Sequence, residues 1–431
     1  MRQTVRPARS LRGDITPPGD KSISHRAAIL NAIAAGEATI ENFQRGADCL
    51  STLRCLRLLG VQWEWQDESR LRLRGAGRRG LREPAAVLNC GNSGTTIRLL
   101  CGLLAGQPFF SALTGDTSLR SRPMARVIEP LRQMGGRIWG REAGTRAPLA
   151  VQGGALRGIR YGLPVASAQV KSALVLAGLY AEGETVISEP APTRDHTERM
   201  LRAMGARITF GEGPAVAVSP LSRELAALSF RVPGDISSAA AWLVLGAVHP
   251  DAEIRISGVC INPTRTGILD ALRMMGADLR VEEERIWGAE PVADIVVRSS
   301  TLRGAVIGGE LVPRTIDELP LLALAGCFAQ GETVIKDASE LRVKESDRIQ
   351  ATASTLRRLG AEVEERPDGL RIHGPQRLRG TRLSTRGDHR LAMMAAVAGA
   401  LAQGETAIHN SESVAVSYPW FWRDLEALGK S

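Results

Sequence analysis

The sequence predicts an α/β fold, an α+β repeat of two similar domains with three helix–strand units each, and three observations carry that prediction. The phrase Leu-Arg-x-x-Gly closes at Gly60, Gly135, Gly205, Gly276 and Gly360, and Leu-Glu-Ala-Leu-Gly closes a sixth copy at Gly429. A second phrase, Gly-Glu-x-x-Ile, starts at Gly36, Gly183, Gly331 and Gly404, and Asp251-Ala-Glu-Ile-Arg-Ile fills the same slot in another copy. Ahead of the second phrase lies an apolar, Ala/Leu-rich run, as at 27–35, 173–180, 319–328 and 391–401.

Each piece has a structural reading. Leu-Arg-x-x-Gly is the last turn of an amphipathic helix with a C-terminal glycine. An alternating stretch such as 361–365 follows most copies and reads as a strand. Gly-Glu-x-x-Ile is a turn leading into another strand. The apolar runs have little polar face, so they are helices buried beneath sheets. The unit is therefore helix, strand, helix, strand, about 70 residues long and repeated. Six units exceed what one core holds, so the chain divides three plus three. Pro18-Gly-Asp-Lys-Ser and Pro233-Gly-Asp-Ile-Ser are the matching starts. Hinges fall near 14–20 and 230–234. The expected domains are 14–231 and 1–13 plus 232–431, with the active site in the cleft between them.

Composition narrows the class. The chain has 431 residues, 44% hydrophobic and 4% aromatic, with a net charge of +9. No apolar run reaches membrane-spanning length. Residues 1–14 are basic with no apolar stretch behind them, so no secretory signal is expected. The six cysteines (Cys49, Cys55, Cys90, Cys101, Cys260 and Cys327) form no Cys-x-x-Cys pair and sit on apolar segments, which reads as buried thiols in a reducing cytoplasm. The positive charge is spread out and almost entirely arginine. It fits an acidic small substrate without requiring nucleic acid or a membrane. The five lysines are Lys21, Lys171, Lys336, Lys344 and Lys430. In an arginine-rich chain a lysine is a candidate for proton transfer, because an ammonium group can be tuned and a guanidinium cannot.

The buried helices all begin with a polar group: Lys21-Ser-Ile-Ser-His-Arg26, Asn92-Ser-Gly-Thr-Thr-Ile-Arg98, Ser167-Ala-Gln-Val-Lys171-Ser, Asp235-Ile-Ser-Ser, Asp317-Glu-Leu and Asp388-His-Arg390. Free N–H groups and a partial positive charge make helix starts suitable for phosphate and carboxylate. Helix capping explains Ser167, Asn92 and Asp235 equally well. It does not explain Lys21, Arg26, Lys171 and Arg390, whose charge opposes the helix dipole, so an anion is expected in front of them. Two further charged loops, Thr114-Gly-Asp-Thr-Ser-Leu-Arg-Ser-Arg122-Pro and Leu341-Arg-Val-Lys344-Glu345-Ser-Asp347-Arg348, precede outer helices. Alone, either reads as a solvated face.

Together these segments resemble the 5-enolpyruvylshikimate-3-phosphate (EPSP) synthase family along the whole chain. The resemblance is most specific at Gly91-Asn-Ser-Gly-Thr-Thr-Ile-Arg98, Leu341-Arg-Val-Lys-Glu-Ser-Asp-Arg348 and Gly387-Asp-His-Arg390. It implies the enolpyruvyl transferase fold, an inside-out α/β barrel of parallel buried helices with sheets outside. It implies transfer of the enolpyruvyl group of phosphoenolpyruvate to the 5-hydroxyl of shikimate 3-phosphate through a tetrahedral intermediate, with phosphate released and no metal or organic cofactor. By the same resemblance Lys21, Ser22, Arg26, Ser167, Ala168, Gln169, Arg194, Asp317 and Lys344 hold shikimate 3-phosphate. Lys21, Asn92, Gly94, Arg122, Gln169, Glu345, Arg348 and Arg390 line the phosphoenolpyruvate site, with Ser93 shaping the same wall. Asp317 is the expected base for the attacking hydroxyl, and Glu345 with Lys21 handles the proton at C3. A cytoplasmic monomer is expected, and so is inhibition by glyphosate, since Gly94 is the position where alanine brings tolerance.

Three departures from the best-known branch of the family stand out. Val416 replaces a lysine before Ser417-Tyr-Pro, Ala168 replaces a serine, and Ala191-Pro-Thr-Arg194 replaces an aromatic. The last two match the other branch, where an arginine supports the substrate. UDP-N-acetylglucosamine enolpyruvyltransferase shares the fold and donor but carries Lys-Asn at Lys21-Ser22, a loop cysteine that 116–124 lacks, and Asp-Leu-Arg at 388–390. An RNA-terminal phosphate cyclase-like protein needs a late catalytic histidine and a continuous basic groove, and the sequence shows neither.

Overall fold

The structure is a computed structural model that describes residues 1–211 and 213–429; Lys430 lies outside them. Contacts divide the chain into two compact units, one of Gly19–Val232 with Ile286–Glu290, the other of Met1–Pro18, Pro233–Arg285 and Pro291–Ser431.

In the 19–232 unit the apolar runs form three core helices, Lys21–Ala32, Gly94–Ala105 and Ala168–Gly178. From its third residue on, Lys21–Ala32 is buried on every side, as a run without a polar face requires. Gly94–Ala105 and Ala168–Gly178 pack backbone to backbone: any side chain on Gly102 runs into the main chain of Ala173. The amphipathic helices Ala47–Leu58, Ala125–Gln133 and His196–Ala203 lie outside them. Each is followed by a left-handed glycine, Gly60, Gly135 and Gly205, with φ of 91°, 96° and 93°. Only glycine takes that conformation cheaply, which is why the phrase ends as it does.

Three four-stranded sheets cover these helices, one per repeat. In the first, Glu37–Glu41 pairs antiparallel with Leu71–Arg74, which pairs antiparallel with Gln62–Trp65. The fourth strand is Phe230–Arg231 from the far end of the unit, parallel to Glu37–Glu41 in the register Phe230↔Ile40. The last segment thus returns to the first sheet and closes the unit.

The other unit repeats the plan with core helices Ile236–Val248, Leu319–Phe328 and His389–Leu401 and outer helices Gly267–Met274, Arg348–Arg358 and Phe421–Leu428. Here the N-terminal strand Leu11–Ile15 completes the sheet of Ala252–Cys260, again in parallel. The sixth repeat is truncated. Its sheet has three strands, no strand follows Phe421–Leu428 among the described residues, and Gly429 is an ordinary right-handed residue with φ −82°. Trp242 stacks on Phe421 at 4.9 Å and packs edge-on against Tyr418, so aromatics fill the end of this core. All six cysteines are buried and none forms a disulfide, and no helix among the described residues is long and apolar enough to cross a membrane.

Candidate active site

The starts of the core helices hold most of the expected site residues, and the caps sort themselves out. Asp20, Ser93, Asp235 and Asp388 accept hydrogen bonds from the first-turn amides of Ile23, Thr96, Ser237 and Arg390. Asn92 is not the cap; its neighbour Ser93 is. Ser167 occupies the N-cap position without bonding its own helix, so its hydroxyl is left for another partner.

Within the 19–232 unit, Lys21 donates to Asp48 on the Ala47–Leu58 helix at 3.0 Å. Arg26 lies a turn deeper than the helix start and is fully ordered by protein groups. Its Nε donates to Thr197 Oγ1 at 2.7 Å, Nη1 to the Ser22 carbonyl at 3.0 Å and Nη2 to Ser172 Oγ at 2.8 Å. Burial pulls this guanidinium down to about 10, with Glu198 working in the opposite direction. Arg194 reaches Ser22 Oγ at 3.3 Å. Ser22, Arg26 and Arg194 therefore form one connected group.

A second group surrounds Gly94. Arg122 donates to Asn92 Oδ1, and Asn92 donates to Asp116 at 2.7 Å. Arg98, quoted in the motif but given no role there, donates to Gln169 Oε1 and to the Pro123 carbonyl, while Gln169 Nε2 donates to Thr95 Oγ1 at 3.0 Å. A methyl group on Gly94 would sit 2.7 Å from Arg98 Nη1 and 3.3 Å from Arg122 Nη1. Beneath both groups, His25, Thr52, Thr96 and Ser93 form a buried hydrogen-bonded chain with links of 2.7 Å.

Residues 233–429 hold the two carboxylates expected to move protons, Asp317 and Glu345. Arg348 is 1% exposed and binds three carboxylates: Asp317 at 3.0 Å, Glu345 at 2.7 Å and Asp388 at 2.9 Å. Burial acts to lower its pKa, and the three acids together raise it. Asp317 faces a second guanidinium, Arg265, at 3.9 Å, and Arg265 is itself fixed by Asp235 and Ser237. Lys344 has no ion pair within the described residues; burial depresses its pKa, against the pull of Asp317 and Glu340. Arg390 is 4% exposed, yet its Nε and Nη1 have no protein acceptor. A buried guanidinium with unused donors is costly, and those two nitrogens could serve an anion. Val416 ends the short Ser411–Val416 helix and brings no charge.

The sequence expectation of a bound anion in front of Lys171 also fails, because its anions are the protein's own: Glu189 at 2.6 Å and Glu198 at 2.9 Å, with all three side chains at most 5% exposed. Three partners carried no visible signal. Asp48 reads as an ordinary acidic residue in a first helical turn, and Arg98 and Arg265 as solvated charges, because their targets come from other segments.

Comparison with known proteins follows the same outline. The family model described as EPSP synthase (3-phosphoshikimate 1-carboxyvinyltransferase) matches residues 5–425. A protein of that name from Roseiflexus castenholzii is 56% identical, covering 99% of this chain and 100% of its own length. One from Chloroflexus aurantiacus is 57% identical, with 98% of each covered. Among solved structures, EPSP synthase from Acinetobacter baumannii superposes with a TM-score of 0.88 at 44% identity, covering 99% of this chain and 98% of that one. The enolpyruvyl transferase NikO from Streptomyces tendae shares the fold, with a TM-score of 0.78 at 20% identity, covering 99% and 97%.

Proposed function

The chain belongs to the EPSP synthase (3-phosphoshikimate 1-carboxyvinyltransferase) family, and we propose how its own residues carry out that family's reaction. The 5-hydroxyl oxygen of shikimate 3-phosphate adds to C2 of phosphoenolpyruvate while C3 gains a proton. The C2–O bond to phosphate then breaks, C3 gives a proton up, and the enol ether and inorganic phosphate leave.

The observation that carries the assignment is Arg348, which binds Asp317 and Glu345 through different nitrogens. Two carboxylates with separate tasks are thereby held on one rigid cation. Asp317 accepts the hydroxyl proton. Glu345 serves the proton at C3, with Lys21, held by Asp48, as the competing donor. Arg390, with idle buried donors, and Arg122 clamp the phosphoenolpyruvate anion, together with Asn92, Gly94, Gln169 and Arg348. Ser22, Arg26, Ser167, Ala168, Gln169, Arg194 and Lys344, with Lys21 and Asp317, hold shikimate 3-phosphate. Both sets act on the same pair of substrates, as a cytoplasmic monomer, and glyphosate inhibits in competition with phosphoenolpyruvate.

Phosphate release from phosphoenolpyruvate tests the reading. It requires shikimate 3-phosphate and is not supported by UDP-N-acetylglucosamine. Asp317→Ala loses about a hundredfold or more in kcat; near-normal turnover removes Asp317 as base. Glu345→Gln against a Lys21 variant divides the C3 proton between the two.

A further inference from the structure

Lys171 has no part in the chemistry above, yet it is among the most elaborately satisfied side chains in the 19–232 unit. It projects from the Ala168–Gly178 helix, the one that begins with Ser167 and Gln169. Its ammonium nitrogen lies 2.6 Å from Glu189, 2.9 Å from Glu198 and 3.3 Å from the Thr193 carbonyl oxygen. The lysine, Glu189 and Glu198 side chains are 4%, 5% and 0% exposed. Thr193 closes the arrangement by donating to Glu189. These three contacts fall at both ends of one short segment: Glu189 opens it, Thr193 is near its close, and Glu198 sits in the first turn of the helix that follows.

That segment carries Arg194. The helix after it carries Thr197, which accepts from Arg26 at 2.7 Å and shares a 2.7 Å hydrogen bond with Ser172, the residue after Lys171. Residues 190–193 read Pro-Ala-Pro-Thr and form no helix or strand of their own. Ladder hydrogen bonds cannot fix their path, so side-chain tethers must. An ammonium group with three donors suits three acceptors converging from different directions. Burial works to lower the lysine pKa, but Glu198 and Glu189 hold it above its ordinary value, so the tether is ionic.

We propose that Lys171 is the positioning residue of the shikimate 3-phosphate half of the site, tying the 189–195 segment and the helix after it to the helix of Ser167 and Gln169 so that Arg194 and Arg26 meet the substrate in a fixed arrangement. The proposal rests on the reading that Ser22, Arg26 and Arg194 bind that substrate. It separates the two substrates, because none of its tethers touches Asn92, Arg122 or Gly94.

Steady-state kinetics with each substrate varied in turn tests it, using Lys171→Met, Glu189→Ala, Arg194→Ala and the double variant Lys171→Met/Arg194→Ala. Lys171→Met and Glu189→Ala each raise KM for shikimate 3-phosphate about tenfold or more, the loss of roughly one charge-assisted hydrogen bond. KM for phosphoenolpyruvate stays within about threefold. Because Lys171 acts in part through Arg194, the double variant loses clearly less than the sum of the two single effects. Equal losses for both substrates, or additive effects in the double variant, reduce Lys171 to a structural residue and overturn the proposal. If Lys171→Met does not fold, Glu189→Ala decides, since it keeps the Lys171–Glu198 pair; an unchanged KM for shikimate 3-phosphate there refutes the tether. Failure of the underlying reading looks different: Arg194→Ala itself then leaves KM for shikimate 3-phosphate unchanged.

Discussion

At the scale of single residues, the site contrasts groups that are finished with groups that wait. Arg26 and Arg348 bond protein groups through all three of their nitrogens, whereas two nitrogens of Arg390 have no protein acceptor. Gly94 belongs to the waiting kind. An alanine methyl there meets only the far ends of Arg98 and Arg122, at 2.7 and 3.3 Å. Both can shift, so Gly94→Ala folds normally, but Arg122 belongs to the proposed phosphoenolpyruvate site and Arg98 holds Gln169. KM for phosphoenolpyruvate rises about tenfold, a cost typical of misplacing a binding group by a fraction of an ångström. KM for shikimate 3-phosphate changes little. Lys344 supplies a pH test. Burial lowers its pKa, so in the free enzyme it loses its proton earlier than an ordinary lysine as pH rises. Bound anions favour the charged form and push the pKa back up. The alkaline limb of kcat/KM for shikimate 3-phosphate, which reports the free enzyme, therefore lies at lower pH than the limb of kcat, which reports the complex. Lys344→Arg abolishes that separation; if wild-type enzyme shows coincident limbs, Lys344 is not the group.

At the scale of elements, what could be read from the sequence is what depends on neighbours along the chain. The glycine closing the first five outer helices was legible because a left-handed residue at that place leaves little choice but glycine. The core helices were legible because a run such as 319–328 has nowhere to put a polar face. Asp20, Ser93, Asp235 and Asp388 sit where short-range capping puts them. Partners were not legible. Lys171 carries the same first-turn signature as Arg390, and only the positions of Glu189 and Glu198, 18 and 27 residues away, show that its anion is internal. The repeats also provide a controlled experiment on the glycine argument. Gly360 has φ +91° and no atom within 4 Å of a would-be Cβ, so Gly360→Ala meets no steric neighbour and pays only for its backbone. It destabilises by about 1 kcal/mol. Gly429 occupies the same place in the sixth copy but has φ −82° and ψ −4°. Gly429→Ala is neutral or slightly stabilising there. Thermal or urea denaturation of the two variants checks the contrast, and equal losses at both positions contradict it.

At the scale of the whole molecule, two strand pairings were not legible, 230–231 with 40–41 and 11–15 with 252–256, each spanning about 190 to 240 residues, although residues 1–13 were expected in the domain of 232–431. A strand of two residues has no periodicity to detect, and its meaning comes from the sheet it completes. The core so enclosed around the 19–232 helices sets a global property, the acid limit of stability, through His25. This ring is fully buried, with Nδ1 at 2.7 Å from Thr52 Oγ1 and Nε2 without a protein partner. Burial first, then the charges of Lys21 and Arg26, hold its pKa well below the ordinary value, with only Asp20 opposing. Above about pH 6.5 the ring is neutral in both folded and unfolded chains and contributes no pH dependence. Below that, the unfolded chain takes up a proton that the folded one refuses, so stability falls as pH drops, by up to about 1.4 kcal/mol per pH unit, until the folded pKa is reached. His25→Gln removes the term and leaves the carboxylates as they were. The stability difference between wild type and variant, followed by hydrogen exchange of peptides from 19–232, is therefore flat from pH 8 to 7. It shifts against wild type by about 1 to 2 kcal/mol between pH 6.5 and 5. A difference that stays constant across that interval means that His25 takes up its proton without unfolding, and that the chain through Thr52, Thr96 and Ser93 accommodates a buried imidazolium.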